Sequence, residues 1–464
     1  MKSKLPWLPY ALEYLDNWMS FQIERYKQPG CSVAICKDGQ LIAERAYGMA
    51  NIYTGDKLTP KHHFRIASHS KTFTAAGIML LREQGKLNLD SPIGKYIKGL
   101  DKQLAKVRIS HILSHGAGIT RDGADNGQFR DAHPFLDAKA VMKELAQPQP
   151  LQAGLQLKYS NHGYALLGLL IEQITGESYA DWMMQHVLKP TGLKHIAPDM
   201  PLLSSKAPFP SGHSAEFPFG KRLIIPGNQP ANAIAAAGGF VATAADTARF
   251  FAQLAPNAKN SILSCESRRE MLHRRWRDPI NLQDFHYGLG TMMSGQAASE
   301  WFGHTGSLQG FISRTSHFLQ SGYTISVLTN ASDGFAFPWV DGILSILQTF
   351  EKHGSPTEKS ASWRGRWWNI FAVTDLVPIG DHVFAVSPVQ WKPFDGVETV
   401  LQLSGKGIRK DQALIATSSA FFSPGERVRR VRNSKGEVKE IWFAGSQMTS
   451  RSAMVEETTQ RYPT

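Results

Sequence analysis

One stretch constrains this chain more than any other. Phe64-Arg65-Ile66 reads as the end of an extended run, and Thr72-Phe73-Thr74-Ala75-Ala76-Gly77-Ile78-Met79-Leu80-Leu81 is rich in Ala, Met and Leu, with apolar residues at helical spacing and Gly85 as a stop. Ser68-His69-Ser70-Lys71 therefore lies where a strand gives way to a helix. One helical turn brings the stem of Lys71 onto the same face as Ser68. A serine hydroxyl becomes a good nucleophile when a neighbour takes its proton. A lysine can take that proton once burial or nearby positive charge has lowered its pKa. The helix N-terminus supplies backbone N–H groups and a partial positive charge suited to an oxyanion. The same spacing also describes an N-cap serine followed by an exposed lysine. The rest of the chain has to decide between the two.

The 464 residues suit two or three domains. An apolar fraction of 42%, 24 Phe and a charged fraction of only 19% argue for large cores and against wholesale disorder. The net charge of +12 raises nucleic acid as a partner. However, the densest basic run (Arg427, Arg429, Arg430, Arg432 and Lys435) flanks an Asn433-Ser434-Lys435-Gly436 turn and reads as a solvated hairpin, so no nucleic-acid partner is expected. Cys31 and Cys36 share one strand and point to opposite faces; with Cys265 they give neither a disulfide framework nor a zinc spacing. His111 and His115 are four apart, but no third ligand is evident, so no metal or cofactor is expected. No apolar run is long enough to span a membrane. Two prolines, Glu13 and Asp16 break up the lysine-led N-terminus, which points to the cytoplasm; a chain shortened at its start would fit a periplasmic or secreted protein equally.

In order, residues 8–27 predict an amphipathic helix, and residues 30–48 a hairpin turning at Lys37-Asp38-Gly39-Gln40. Helices follow at 109–116, 136–148 and 165–175, the last stopped by Gly176. Tyr159 and Asn161 stand just before that helix, where a core phenol and a simple N-cap are the plain alternatives. Residues 200–230 form a long Pro/Ser/Gly-rich loop fit to wall a pocket. A helix at 243–254, strands near 287, 301–307 and 323–330, and a helix at 339–350 complete this part. After a polar linker at 353–362 the pattern changes. Short strands alternate with turns over 363–464, with no long helix, as in a small barrel or sandwich.

Three motifs stand in one order: Ser68-His69-Ser70-Lys71, Tyr159-Ser160-Asn161 and His304-Thr305-Gly306. Together they resemble the penicillin-recognising serine hydrolases, in the branch of class C β-lactamases, a DD-peptidase, family VIII-type esterases and D-aminopeptidases. Phe64-Arg65-Ile66, Leu89-Asp90-Ser91-Pro92-Ile93, His111-Ile112-Leu113-Ser114-His115, Ala237-Gly238-Gly239 and Tyr287-Gly288-Leu289-Gly290 extend the resemblance over residues 10–350. Gly-x-Ser-x-Gly, the mark of an α/β-hydrolase, is absent.

The resemblance implies an α/β fold: a class C β-lactamase-like domain over 1–352, with an antiparallel sheet flanked by helices and a helical lobe at roughly 96–235. A lipocalin-like all-β module over 363–464 would follow. It also implies that Ser68 forms an acyl-enzyme, that Lys71 and Tyr159 act as its base, and that Tyr159 serves the leaving group and the attacking water. Asn161 would hold the substrate carbonyl or the Lys71 ammonium. The N–H groups of Ser68 and Ser307 would form the oxyanion hole, with Thr305 beside them and Gly306 allowing close approach. His304 replaces the lysine that β-lactamases use to pair a substrate carboxylate, which favours substrates without an obligatory carboxylate. The expected substrate is a small molecule or short peptide, an ester or a D-amino-acid amide. β-Lactam or D-Ala-D-Ala cleavage, and a non-catalytic acyl-binding sensor, are the alternatives. Homo-oligomerisation is left open.

Overall fold

The computed structural model describes residues 5–462 apart from 202–206, 279–283, 296–298, 396–398 and 418–422. It packs as two units, residues 28–340 and residues 1–27 with 341–464.

The first unit is built on a nine-stranded sheet that grows from the predicted hairpin. Asp38 and Gly39 both take positive φ, 48° and 79°, as a two-residue turn between twisted strands requires. Strands Gly30–Lys37 and Gln40–Asn51 pair around it, and Tyr323–Thr329, Phe311–Phe318 and Trp301–Leu308 extend the sheet antiparallel. Residues Gly30 to Cys36 are buried without alternation, so this strand is covered on both faces. Cys31 and Cys36 are buried free thiols, as their place in an apolar strand implies.

Helix Ser70–Glu83 lies at the centre of the helical part. It is buried nearly all round rather than along one stripe. Phe73 stacks between Phe240 and Phe250, at ring-centroid distances of 4.7 and 3.7 Å. A Cβ on Gly77 would come within 3.0 Å of Trp182 and Met183, so glycine lets this helix sit close to its neighbours. Burial leaves the helix's polar residues in need of partners, and each has one. Ser70 Oγ donates to Ala67 O (2.6 Å), Thr72 Oγ1 to Gly290 O (2.6 Å) and Thr74 Oγ1 to Ala236 O (2.7 Å).

The second unit holds helix Leu8–Arg25, the Asp341–His353 portion of helix Ala336–His353, and a closed barrel of eight antiparallel strands from Gly365–Trp368 to Ser446–Thr449. Closure leaves no open sheet edge. Leu376, Val383, Leu401, Ile415, Val428 and Ile441 point into its core. The barrel module does not act as a separate packing unit. Trp18 and Gln22 of the N-terminal helix donate to Gln390 O (3.3 Å) and Pro388 O (2.6 Å), and Tyr14 and Phe350 both pack on Phe394. Strands Gly365–Trp368 and Ser446–Thr449, too short to show a period, escape sequence reading. One correction is needed: Arg451–Arg461 is an 11-residue helix, capped by Ser450, where the sequence predicts no long helix. None of its residues is buried, so it has no apolar stripe to reveal it. The basic run forms the predicted hairpin, strand Arg427–Arg432 pairing with Val438–Phe443, and Asp411 accepts from Arg430 (2.7 Å) and Arg432 (2.8 Å). Among the described residues no helix is long and apolar enough to cross a membrane.

Burial holds His69 and His317 down at about 4, against about 6.5 for a free histidine. Both are then neutral in the fold but protonated in the unfolded chain between those values. Their contribution to stability is complete above pH 6.5 and is lost as pH falls from 6.5 towards 4. The melting temperature should drop across that window, and His317→Gln should flatten the drop relative to wild type in a Tm series from pH 7.5 to 4.

Candidate active site

Three elements converge on a cavity of about 800 Å³ lined by Ser68, Tyr159, Asn161, Thr305 and Ser307. Strand Phe64–Arg65 ends in a single turn, Ala67–His69, before the long helix starts at Ser70. Ala67 sits at φ +48°, a left-handed conformation uncommon for a residue with a Cβ. That twist lets the chain pass from strand to helix within two residues and leaves Ser68 half-exposed to the cavity while His69, Ser70 and Lys71 are buried. The bonds that hold the turn surround Ser68: Ser70 Oγ accepts from Phe240 N–H (3.0 Å), and His69 Nδ1 bonds Ile66 O (2.9 Å).

Lys71 is fully buried. Its Nζ lies 3.0 Å from Ser68 Oγ, 2.8 Å from Asn161 Oδ1 and 2.7 Å from Ala237 O. Burial drives its pKa well below the ordinary lysine range; Asp122 opposes this and Arg121 adds to it. The geometry suits a neutral amine. Two N–H groups donate to Asn161 and Ala237, and the third position on the nitrogen is directed at Ser68 Oγ. Tyr159 stands on the other side, its ring centroid 4.7 Å from Nζ. Burial pushes the phenol's pKa up, while the nearby Ser68 side chain and Arg121 pull it back.

Ser160, rather than Asn161, caps helix Asn161–Thr175, its Oγ accepting from Gly163 N–H at 2.8 Å. This frees the Asn161 side chain, which accepts from Lys71 and donates through Nδ2 to Asp122 Oδ1 (2.6 Å). Behind Tyr159, the buried ring of His115 lies 4.1 Å from the phenol ring and accepts the Ser160 N–H through Nδ1 (3.1 Å).

His304 is also buried. Its Nδ1 donates to Thr305 O (2.6 Å), so Nε2 accepts the Tyr287 hydroxyl (3.0 Å). Burial lowers its pKa well below the usual imidazole range, and the ring is a neutral tautomer with both nitrogens engaged. Strand Met292–Ser294 pairs with the His304 strand only as far as Gly303. Beyond that point Thr305 and Ser307 line the cavity. Gly306 has a different reason from the one its motif suggests. An added Cβ would meet Ile66 O at 2.3 Å and Ser313 Oγ at 2.4 Å, so the strand closes on the backbone that carries Ser68.

The family model described as Beta-lactamase matches residues 15–345, most of the chain. The chain belongs to the beta-lactamase family. Members of this family are serine hydrolases. Protein flp of Staphylococcus aureus (strain MW2) is 28% identical over 189 residues, 39% of this chain and 37% of that protein, so the chain spans well under half the length of this curated relative. Among solved structures, the octameric penicillin-binding protein homologue from Pyrococcus abyssi has 20% identity and a TM-score of 0.64, covering 95% of this chain and 100% of its own. D-amino acid amidase from Ochrobactrum anthropi SV3, complexed with L-phenylalanine amide, has 23% identity and a TM-score of 0.61, covering 73% and 98%. At these identities the two structures speak to the fold.

Sequence reasoning placed the 200–230 loop at a pocket wall but did not single out the residues that complete this beta-lactamase-family site. Ala237 O is the second acceptor of Lys71, signalled only as the landmark Ala237-Gly238-Gly239. Arg121 and Asp122 lie in a loop with no motif of its own. Ile225 brings the 200–230 loop to the cavity, and Arg65 tethers that loop by donating to Gly227 O (2.9 Å) and Gln229 O. Among the described residues no cluster of three His, Cys, Asp or Glu could hold a metal.

Gly306→Ala should push the strand away from the Ser68 turn. We expect acylation of Ser68 by a p-nitrophenyl ester, followed by intact mass, to slow at least ~100-fold, as expected for a lost oxyanion donor. The secondary structure should be unchanged by circular dichroism.

Proposed function

We propose that this protein hydrolyses ester or amide bonds through an acyl-enzyme on Ser68, and that its preferred acyl group is a D-amino acid with a free amine. The observation that carries the chemistry is the buried Lys71 amine 3.0 Å from Ser68 Oγ with its other two bonds already committed. Lys71 accepts the hydroxyl proton as Oγ attacks the carbonyl carbon. The N–H groups of Ser68 and Ser307 receive the oxyanion. Tyr159 delivers the proton to the leaving group, which departs as amine or alcohol. Water then attacks the acyl-enzyme, its proton returns through Tyr159, and the acid and the Ser68 hydroxyl are regenerated.

Asp122 supports the choice of acyl group. It is a carboxylate at the cavity wall, 11% exposed, whose Oδ1 already accepts from Asn161, next to the nucleophile's own lysine. Each carboxylate oxygen accepts more than one bond, so a substrate ammonium can still be received there. A β-lactam, or a D-Ala-D-Ala end carried on a longer peptide, presents a neutral amide at that wall and gains nothing from the charge. The sensor alternative would acylate once and stop.

Steady-state hydrolysis of a p-nitrophenyl ester, D-alanyl p-nitroanilide and nitrocefin by wild type and Ser68→Ala tests this. We expect turnover of the first two, with all of it lost in Ser68→Ala. Stoichiometric acylation without turnover would move the assignment to a sensor, and preference for nitrocefin to a β-lactamase. Asp122→Asn removes a charge that also acts on Lys71, so both substrates should change, but KM for the D-anilide should rise about tenfold more than KM for the ester. Because Lys71 must be neutral to act and burial depresses its pKa, kcat/KM should be substantial at pH 7 and fall as pH drops through that lowered value.

A further inference from the structure

Arg121 lines the cavity, ion-paired to Asp122 through Nε and with no terminal-nitrogen partner among the described contacts. Its backbone is fixed, because Arg121 O accepts the N–H groups of Asn161 (2.9 Å) and His162 (3.3 Å) at the start of the helix that carries Asn161. Its side chain is 66% exposed and lines the cavity. Only Nε is committed among the described contacts, to Asp122 Oδ2 at 3.1 Å. The two terminal nitrogens present a fork of parallel donors, a geometry that matches a carboxylate. Its Cζ lies 5.5 Å from the Tyr159 ring centroid. Any leaving group that takes its proton from Tyr159 therefore passes within reach of the guanidinium. His304 cannot serve instead, since it is neutral and both its nitrogens are bonded within the protein.

We propose that Arg121 is a specificity-determining residue that pairs a carboxylate on the leaving group, so that the favoured substrates are dipeptides with a free amine on the acyl side and a free carboxylate on the leaving side. This rests on the reading of Asp122 and Ser68 above and adds to it. Asp122 and Arg121 are consecutive and touch through Nε, so the two charges they receive are a short distance apart. A leaving group of one residue meets that condition; a long peptide, whose carboxylate lies far from the scissile bond, does not.

The test separates binding from turnover. D-Alanyl-D-alanine and D-alanyl-D-alaninamide differ only at the terminal carboxylate. Both are titrated by calorimetry into Ser68→Ala, which cannot consume them, and into Ser68→Ala carrying Arg121→Gln or Arg121→Lys. We expect the acid to bind Ser68→Ala about tenfold more tightly than the amide. The preference should vanish with Arg121→Gln and be partly kept with Arg121→Lys. Equal binding of acid and amide, an unchanged preference in Arg121→Gln, or no binding of either at millimolar concentration would each overturn the proposal. The hydrolysis assays above stand or fall separately. If the wild type turns over the D-anilide while the calorimetry shows no preference, the hydrolase reading stands and the Arg121 subsite does not.

Discussion

A lysine amine sealed inside an apolar core is the constraint on which the rest of this structure depends. A charged ammonium at Lys71 would carry a large desolvation cost, and burial resolves it by favouring the neutral form. The neutral form is useful only if its orientation is fixed. Asn161 Oδ1 and Ala237 O provide that, each accepting one N–H and leaving the third direction to Ser68. Those acceptors come from residues 90 and 166 positions away, so the helical part must be assembled before the amine is aimed.

The same packing explains the strain beside Ser68. Ala67 holds a left-handed conformation because the strand before it pairs with Val241–Ala242 and the helix after it is gripped all round. A residue so confined keeps a conformation it would not choose in a free peptide. Gly306 completes the arrangement from the opposite side, where absence of a side chain lets a sheet strand rest against Ile66 O.

Charge around the site is divided between inside and mouth. His115 and His304 are buried and neutral, and they set the positions of Tyr159, Ser160 and Tyr287 through ring contact and hydrogen bonds. At the rim, Arg121 and Asp122 adjoin one another and act on Lys71 in opposite senses. Removing either rim charge shifts the balance at the amine.

The sequence by itself determined the local parts. Asp38-Gly39 specified a hairpin because both positions need positive φ, Gly176 ended a helix for the same reason, and Ser68 to Lys71 shared a face because a helical turn is short. The order of its three motifs pointed to the family, and the change to short alternating strands after residue 353 announced the barrel. The tertiary structure decided what depends on residues far apart in the chain. Whether Lys71 was exposed or buried, which atoms completed its bonds, why residue 306 had to be glycine, and that both nitrogens of His304 at the cavity wall were bonded within the protein all followed from packing between segments. Arg121 and Asp122 were legible only there, since a charged loop residue has no periodicity and its meaning comes from the cavity it faces. The C-terminal helix, with no buried face, left no pattern: burial writes sequence periodicity, and where nothing is buried nothing is written.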